Sequence, residues 1–236
     1  MARPTVSTKI VSSATDGIKF VQKFLYTSID SDTILFLSGG KTPRDLYSSL
    51  AMDKTIKPGT VAYVDERYGE SFHDLSNEKM IKDTGLSDYF SVNDIPVYHI
   101  LQKNLSIEKT AAEYEKILKD LFKKFSKRVA VLGIGLDGHT AGLPANKILW
   151  DSQVTKNSGP FVTYYDDSDG FYKKRISMTL KALEHMDTLL VMVFGESKKP
   201  ALELMVKNGS EEEVPARFFK RPDIAAKTLL ITDQTV

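Results

Sequence analysis

Apolar positions in this chain fall into two alternating rhythms. Residues 33–37, 60–64, 128–132 and 188–194 are short, nearly continuous apolar runs. Such runs predict strands buried on both faces, because a half-solvated strand alternates apolar with polar. Segments 161–165, 175–179 and 227–232 predict three further strands. Between them the apolar period lengthens to that of a helix. Residues 14–26 carry Ile18, Val21, Phe24 and Leu25 on one face. Pro43, whose fixed φ suits a first turn, marks the start of a second helix running through Leu50. Residues 107–125 and 197–207 predict two more, and the stretch before 107 is less regular. Strands alternating with helices imply an α/β fold whose mainly parallel sheet is covered on both faces. No repeat, low-complexity tract or linker interrupts residues 1–236, so a single domain is expected.

Composition narrows the chemistry more than the fold. The chain is 42% apolar and 27% charged, an ordinary balance for a soluble globular protein with enough core to need no covalent staples. It has no cysteine, which removes thiol nucleophiles, disulfides and cysteine-ligated metals. No histidine pair has ligand spacing, so no zinc site is expected. The acid-rich 166–170 segment lacks the spacing and terminal Glu of a calcium loop and reads as a solvated turn. A net charge of +1 with interspersed signs gives no basic field for nucleic acid. The Lys-rich stretch 116–128 holds Leu118, Leu121, Phe122 and Phe125 at helical spacing and reads as an amphipathic helix. There is neither a signal-peptide core at the start nor a membrane-length apolar run. A cytoplasmic location with no membrane partner is the expectation.

In an open parallel sheet, ligands bind beyond the carboxyl ends of the strands. Three loops there are chemically loaded. The first is Ser38-Gly39-Gly40-Lys41-Thr42-Pro43-Arg44. Its glycines admit close backbone approach, the following helix offers free N–H groups, and Lys41, Thr42 and Arg44 add donors and charge. It is a phosphate cradle without Walker spacing, or else a tight turn that needs glycine. The second is Asp65-Glu66-Arg67, followed by Ser76 and Asn77; it is either functional or a structural ion pair at a sheet edge. The third runs from Gly133 to Thr140. Its glycines are spaced one residue too tightly for a dinucleotide fingerprint. Asp137 and His139 on such a backbone suit a general base and its orienting carboxylate. His73, His99 and His185 have weaker surroundings: a polar loop, an apolar run and a helix end. No Gly-x-Ser-x-Gly elbow supports a serine hydrolase. Arg175 and Lys198, each beside an apolar strand, are further candidate anion ligands or solvated cations.

Taken in order, these segments resemble the 6-phosphogluconolactonase family. The matching residues are Ser38 to Pro43, Asp65-Glu66-Arg67 with Ser76-Asn77, and Gly133 to Ala141. Weaker agreement follows in Arg175 to Thr179, Gly195 to Lys198 and Val214-Pro215-Ala216. The resemblance implies a three-layer, Rossmann-like α/β/α fold shared with glucosamine-6-phosphate deaminases. It implies hydrolysis of 6-phospho-D-glucono-1,5-lactone, a small sugar-phosphate substrate, without a cofactor. His139 then matches the family's proposed general base and Arg67 an active-site arginine. Gly39, Gly40, Lys41, Thr42 and Arg44 lie where substrate phosphate is expected. One departure stands out. After His-Thr-Ala the lactonases usually read Ser-Leu-Phe-Pro, whereas this chain reads Gly142-Leu143-Pro144-Ala145, losing a bulky residue and a hydroxyl. A deaminase would instead continue toward Asn-Glu-Pro-Gly, and no acid follows His139 here. A non-catalytic sugar-phosphate sensor would need a DNA-binding helix-turn-helix, for which the chain has neither room nor charge.

Overall fold

A computed structural model describes residues 5–102, 104–145, 159–166 and 174–235. Seven strands build the main sheet: β1 (Ser7–Ile10), β2 (Thr33–Leu37), β3 (Thr60–Tyr63), β5 (Val97–Tyr98), β6 (Lys127–Leu132), β9 (Thr188–Val193) and β10 (Thr228–Thr232). They lie in the order β1-β10-β9-β6-β2-β3-β5, and every neighbouring pair is parallel. The helices are α1 (Ala14–Ser28), α2 (Lys41–Asp53), α3 (Asn77–Asp83), α4 (Leu86–Val92), α5 (Ile107–Lys124), α6 (Leu180–Glu184), α7 (Lys199–Val206) and α8 (Pro222–Ala225). All five residues of β2 and all four of β3 are buried, so helices close both faces of the sheet centre. This is the expected α/β three-layer arrangement.

A second, antiparallel sheet of β4 (Asp65–Arg67), β8 (Lys174–Met178) and β7 (Val162–Asp166) corrects two sequence expectations. Asp65-Glu66-Arg67 is a strand in its own right rather than the loop that ends one. The segments expected as strands at 161–165 and 175–179 pair with each other outside the main sheet. The turn expected at 166–170 lies beyond Asp166 outside the described residues. The less regular stretch before 107 resolves into α3, α4 and β5. Edge strand β1, exposed at all four positions, carries no apolar run to announce it. Within the helix expected at 197–207, a 3-10 turn (Glu196–Lys198) precedes α7.

The lysine-rich helix α5 behaves as its pattern implies. Leu118 and Leu121 are buried, while Lys116, Lys119 and Lys123 face water and pair with Glu113, Glu115 and Asp120. Topology then places the site. The chain runs outward from β2 to β3 on one side and from β6 to β9 on the other. The loops leaving β2 and β6 therefore diverge and open a crevice at their carboxyl ends, where an open α/β sheet binds ligands.

Candidate active site

A cavity of about 540 Å³ fills that crevice. Ser38 to Pro43 line one wall, Gly133 to Asp137 with His139 the other, and Asp65, Arg67, Arg175 and Lys198 complete it. Of the residues expected from sequence, Gly39, Gly40, Lys41, Thr42, Arg67, Asp137, His139, Arg175 and Lys198 meet here. Arg44 does not. It sits exposed one turn into α2, outside the cavity lining. Asp65, buried on the cavity wall, was not singled out as a site residue. Its position at the carboxyl end of a buried run was the available signal.

The first wall is held by groups hidden beneath it. The Tyr47 hydroxyl, from the buried face of α2, accepts from Ser38 N–H at 3.1 Å and donates to Ser38 O at 2.9 Å, fixing the turn after β2. Gly40 has φ +114, a region that favours glycine, and caps α2 without a side-chain hydrogen bond. The first N–H groups of α2 are thereby directed at the cavity with the positive end of the helix dipole. Gly39 packs so closely on Asn77 that an added Cβ would lie 1.9 Å from its Oδ1. Asn77 in turn donates to Asp65 O at 2.9 Å.

Glu66 explains the rest of the charged triplet. Its carboxyl is fully buried and accepts from the N–H groups of Arg67 (2.6 Å), Asn77 (2.8 Å) and Glu78 (2.9 Å). It therefore caps α3 from below. Burial, followed by the neighbouring Glu78, pushes it up to about 8, against the three N–H groups that favour the charged form. The structural reading holds for Glu66, although its partners are backbone amides rather than a cation. Arg67 lines the cavity, and its Nη1 donates to Leu75 O at 2.8 Å. In the antiparallel register Arg67 lies directly opposite Arg175. Like charges paired across strands are unfavourable, so this pair suits an anion between or above them.

The second wall is the glycine loop. Asp137 Oδ1 lies 2.6 Å from His139 Nδ1 and accepts from His139 N–H at 3.1 Å. The hydrogen bond with His139 draws the Asp137 carboxyl down to about 2, against partial burial, so it is ionised at neutral pH. Nδ1 accordingly carries the proton, which leaves the Nε2 lone pair as the basic site. Gly135 lies under the ring: an added Cβ would stand 2.0 Å from His139 Cε1. The loop is closed by Gly135 N–H to His139 O at 2.8 Å and by Thr140 Oγ1 to Gly133 O at 2.9 Å. Val214 packs where a Cβ on Gly138 would fall, and Ala216 N–H donates to Gly138 O at 2.9 Å. The Val214-Pro215-Ala216 segment thus serves as the back support of the loop. Lys198 Nζ donates to Ile134 O at 2.7 Å; burial lowers its basicity while Asp137 opposes that effect.

The departure at 142–145 has a local cause. Gly142 packs against the antiparallel sheet, where an added Cβ would sit 3.0 Å from Ser177 Cβ and 3.1 Å from Asp65 Cβ. The Ser177 hydroxyl reaches the spot, accepting from Gly142 N–H at 3.0 Å. Tyr165 donates its hydroxyl to Gly142 O at 2.6 Å. The remaining histidines lie elsewhere. His99 stacks on Tyr63 beside Glu78, and His185 packs among Phe122 and Phe161 at the end of α6. Burial, then the Arg128 charge, lowers the basicity of His185, so it is not the dipole-paired cation expected at a helix end.

Comparison with known proteins agrees with this fold. Residues 12–229 match the family described as glucosamine-6-phosphate isomerases/6-phosphogluconolactonase. The chain belongs to this family. Among its relatives, the 6-phosphogluconolactonase of Thermotoga maritima is 30% identical, the alignment covering 78% of each chain. A glucosamine-6-phosphate deaminase of Lactobacillus acidophilus is 28% identical over 81% of this chain and 80% of its own. In fold, a crystal structure of a 6-phosphogluconolactonase from Shewanella baltica superposes with a TM-score of 0.79 at 18% identity, covering 98% of this chain and 99% of that one.

Proposed function

We propose that this chain hydrolyses 6-phospho-D-glucono-1,5-lactone to 6-phospho-D-gluconate, with His139 as the base that activates water. The observation that carries this reading is the 2.6 Å pairing of His139 Nδ1 with the ionised Asp137. It leaves a basic Nε2 at one wall of a cavity whose other wall is an anion cradle. The matching lactonases among its relatives support the same assignment. The reaction is placed in the cytoplasm.

The substrate phosphate binds the N–H groups of Gly40, Lys41 and Thr42 at the start of α2, with the Lys41 charge beside it. The lactone ring then spans the cavity toward His139. Water attacks the carbonyl carbon while His139 Nε2 takes its proton. The resulting oxyanion is stabilised by Arg67, with Arg175 beside it; a donor of this kind contributes roughly 3–4 kcal/mol. As the tetrahedral centre collapses, the bond to the ring oxygen breaks and Nε2 returns the proton to that oxygen. Asp137 holds the ring in one tautomer and offsets the charge of the transient imidazolium. Lys198 is a further cation lining the cavity, within reach of substrate oxygens.

The test is to generate the lactone in situ with glucose-6-phosphate dehydrogenase and follow its disappearance. Acceleration above spontaneous hydrolysis is expected, and it should collapse in His139→Asn. Ammonia release from glucosamine-6-phosphate, with no effect on the lactone, would assign the chain to the deaminase branch instead.

A further inference from the structure

We propose that His73 is a positioning residue for Arg67, its neutral, Nε2-protonated ring closing the 67–76 loop and holding the guanidinium at the cavity wall. The functional consequence rests on Arg67 acting on the substrate, as proposed above. The ring bridges both ends of the arginine's tether. Its Nε2 lies 2.9 Å from Arg67 O, and its Nδ1 lies 3.3 Å from Leu75 N. The Arg67 side chain itself donates to Leu75 O at 2.8 Å.

These partners allow one protonation state. A carbonyl oxygen only accepts, so Nε2 must carry a hydrogen; a backbone N–H only donates, so Nδ1 must be bare. The loop is shaped around this ring. A Cβ on Gly69 would stand 2.9 Å from His73 Cδ2, so the imidazole lies against bare backbone. Phe72 takes φ +60, the turn that brings His73 inward. His73 N–H donates to Glu70 O at 3.2 Å, and Ser76 N–H donates to His73 O at 2.9 Å. Ser76 then caps α3, the helix whose Asn77 props Gly39. One ring therefore links the cationic wall of the cavity to the support of the phosphate cradle.

Protonation of Nδ1 would turn the Leu75 N–H contact from attractive to repulsive. It would also place a cation beside Arg67 and Lys174, which line the same small cleft with Tyr68 and Glu70. Glu70 and Asp74 on the loop supply the opposing charges, and Lys79 of α3 faces Asp74.

Nitrogen-15 spectra of the full chain with labelled histidine test the tautomer independently of activity. Near neutral pH, the resonances that vanish in His73→Gln should show a bare Nδ1 and a protonated Nε2. An Nδ1-protonated or imidazolium signal would overturn the proposal. In kinetics, His73→Leu should lower kcat about 10- to 100-fold with less change in KM, the scale of a misplaced catalytic group. A Gln amide offers a donor and an acceptor at similar separation but does not titrate. His73→Gln should therefore restore most of the loss. In an Arg67→Met background, His73→Leu should add nothing. Fully multiplicative effects would show that His73 does not act through Arg67. If His73→Leu fails to fold, the tautomer and the kcat of His73→Gln decide the question. A wild-type chain inactive on the lactone would refute the proposed function, while the tautomer result would still judge the ring.

Discussion

The two walls of the cavity are built on opposite principles. The wall after β2 and β4 rests on a buried polar network, in which Tyr47, Glu66 and Asn77 satisfy backbone groups out of reach of water. The wall after β6 places its chemistry near solvent: the side chains of His139 and Asp137 are 41% and 55% exposed. It is shaped by glycines and by backbone closure. The difference separates two demands. An anion cradle must hold its N–H groups rigidly before the ligand arrives, whereas a base needs contact with water and room to exchange a proton. Damage to the first wall should appear in stability and substrate affinity, and damage to the second in turnover.

Four experiments bear on that division, from the largest effect to the smallest. His139→Asn should reduce kcat by about 10²–10⁴ while thermal unfolding stays near that of the wild type; a large drop in Tm would show the loop to be part of the core. Gly135→Ala forces its methyl into the His139 ring. About 100-fold in kcat is expected, as for a group displaced by about an ångström, and unchanged kinetics would mean that the ring moves freely.

Glu66→Ala leaves three buried N–H groups without their acceptor and should cost about 3–5 kcal/mol in denaturant unfolding. The pH dependence of this group has a definite sign. Glu66 is raised from 4.5 to about 8, so the folded chain retains a proton that the unfolded chain has released in this window. Its contribution to stability is complete below 4.5 and is lost as pH rises through 8. Wild-type Tm should therefore carry a declining component across that interval, which Glu66→Gln removes. An identical slope in the two proteins would place the titration elsewhere. Lys41→Ala, finally, should raise KM several-fold with kcat nearly kept, because the backbone N–H groups of the cradle remain and an exposed charge adds about 1 kcal/mol. A fall in kcat alone would move Lys41 from binding to catalysis.

Much of this was legible in the chain itself, and the rest was hidden for physical reasons. Strands β2, β3, β6 and β9 announced themselves because burial on both faces leaves an unbroken apolar run. β4 did not, because Asp65-Glu66-Arg67 is a strand whose carboxyl groups are buried by hydrogen bonding and cavity contact, a pattern that reads as a loop. The glycine loop and the cradle were visible through residue type, yet the support of each is distant. Nothing local to Gly138 points to Val214, and nothing local to Gly39 points to Asn77. Arg44 lies one turn along α2 from Lys41, exposed and outside the cavity lining, a placement its residue type alone does not reveal.

The wedge at Gly142 has a consequence for how such a chain changes over generations. A side chain at this position meets Ser177 of β8 and Asp65 of β4, direct partners in the antiparallel sheet, at 3.0 and 3.1 Å. Neither neighbour is free to drift, since Ser177 Oγ accepts the Gly142 amide and Asp65 borders the cavity. Acquiring the serine usual among the lactonases therefore asks Ser177 and Asp65 to give by a few tenths of an ångström. The residue tolerated at position 142 is thus set by the β4–β8 pair beneath it.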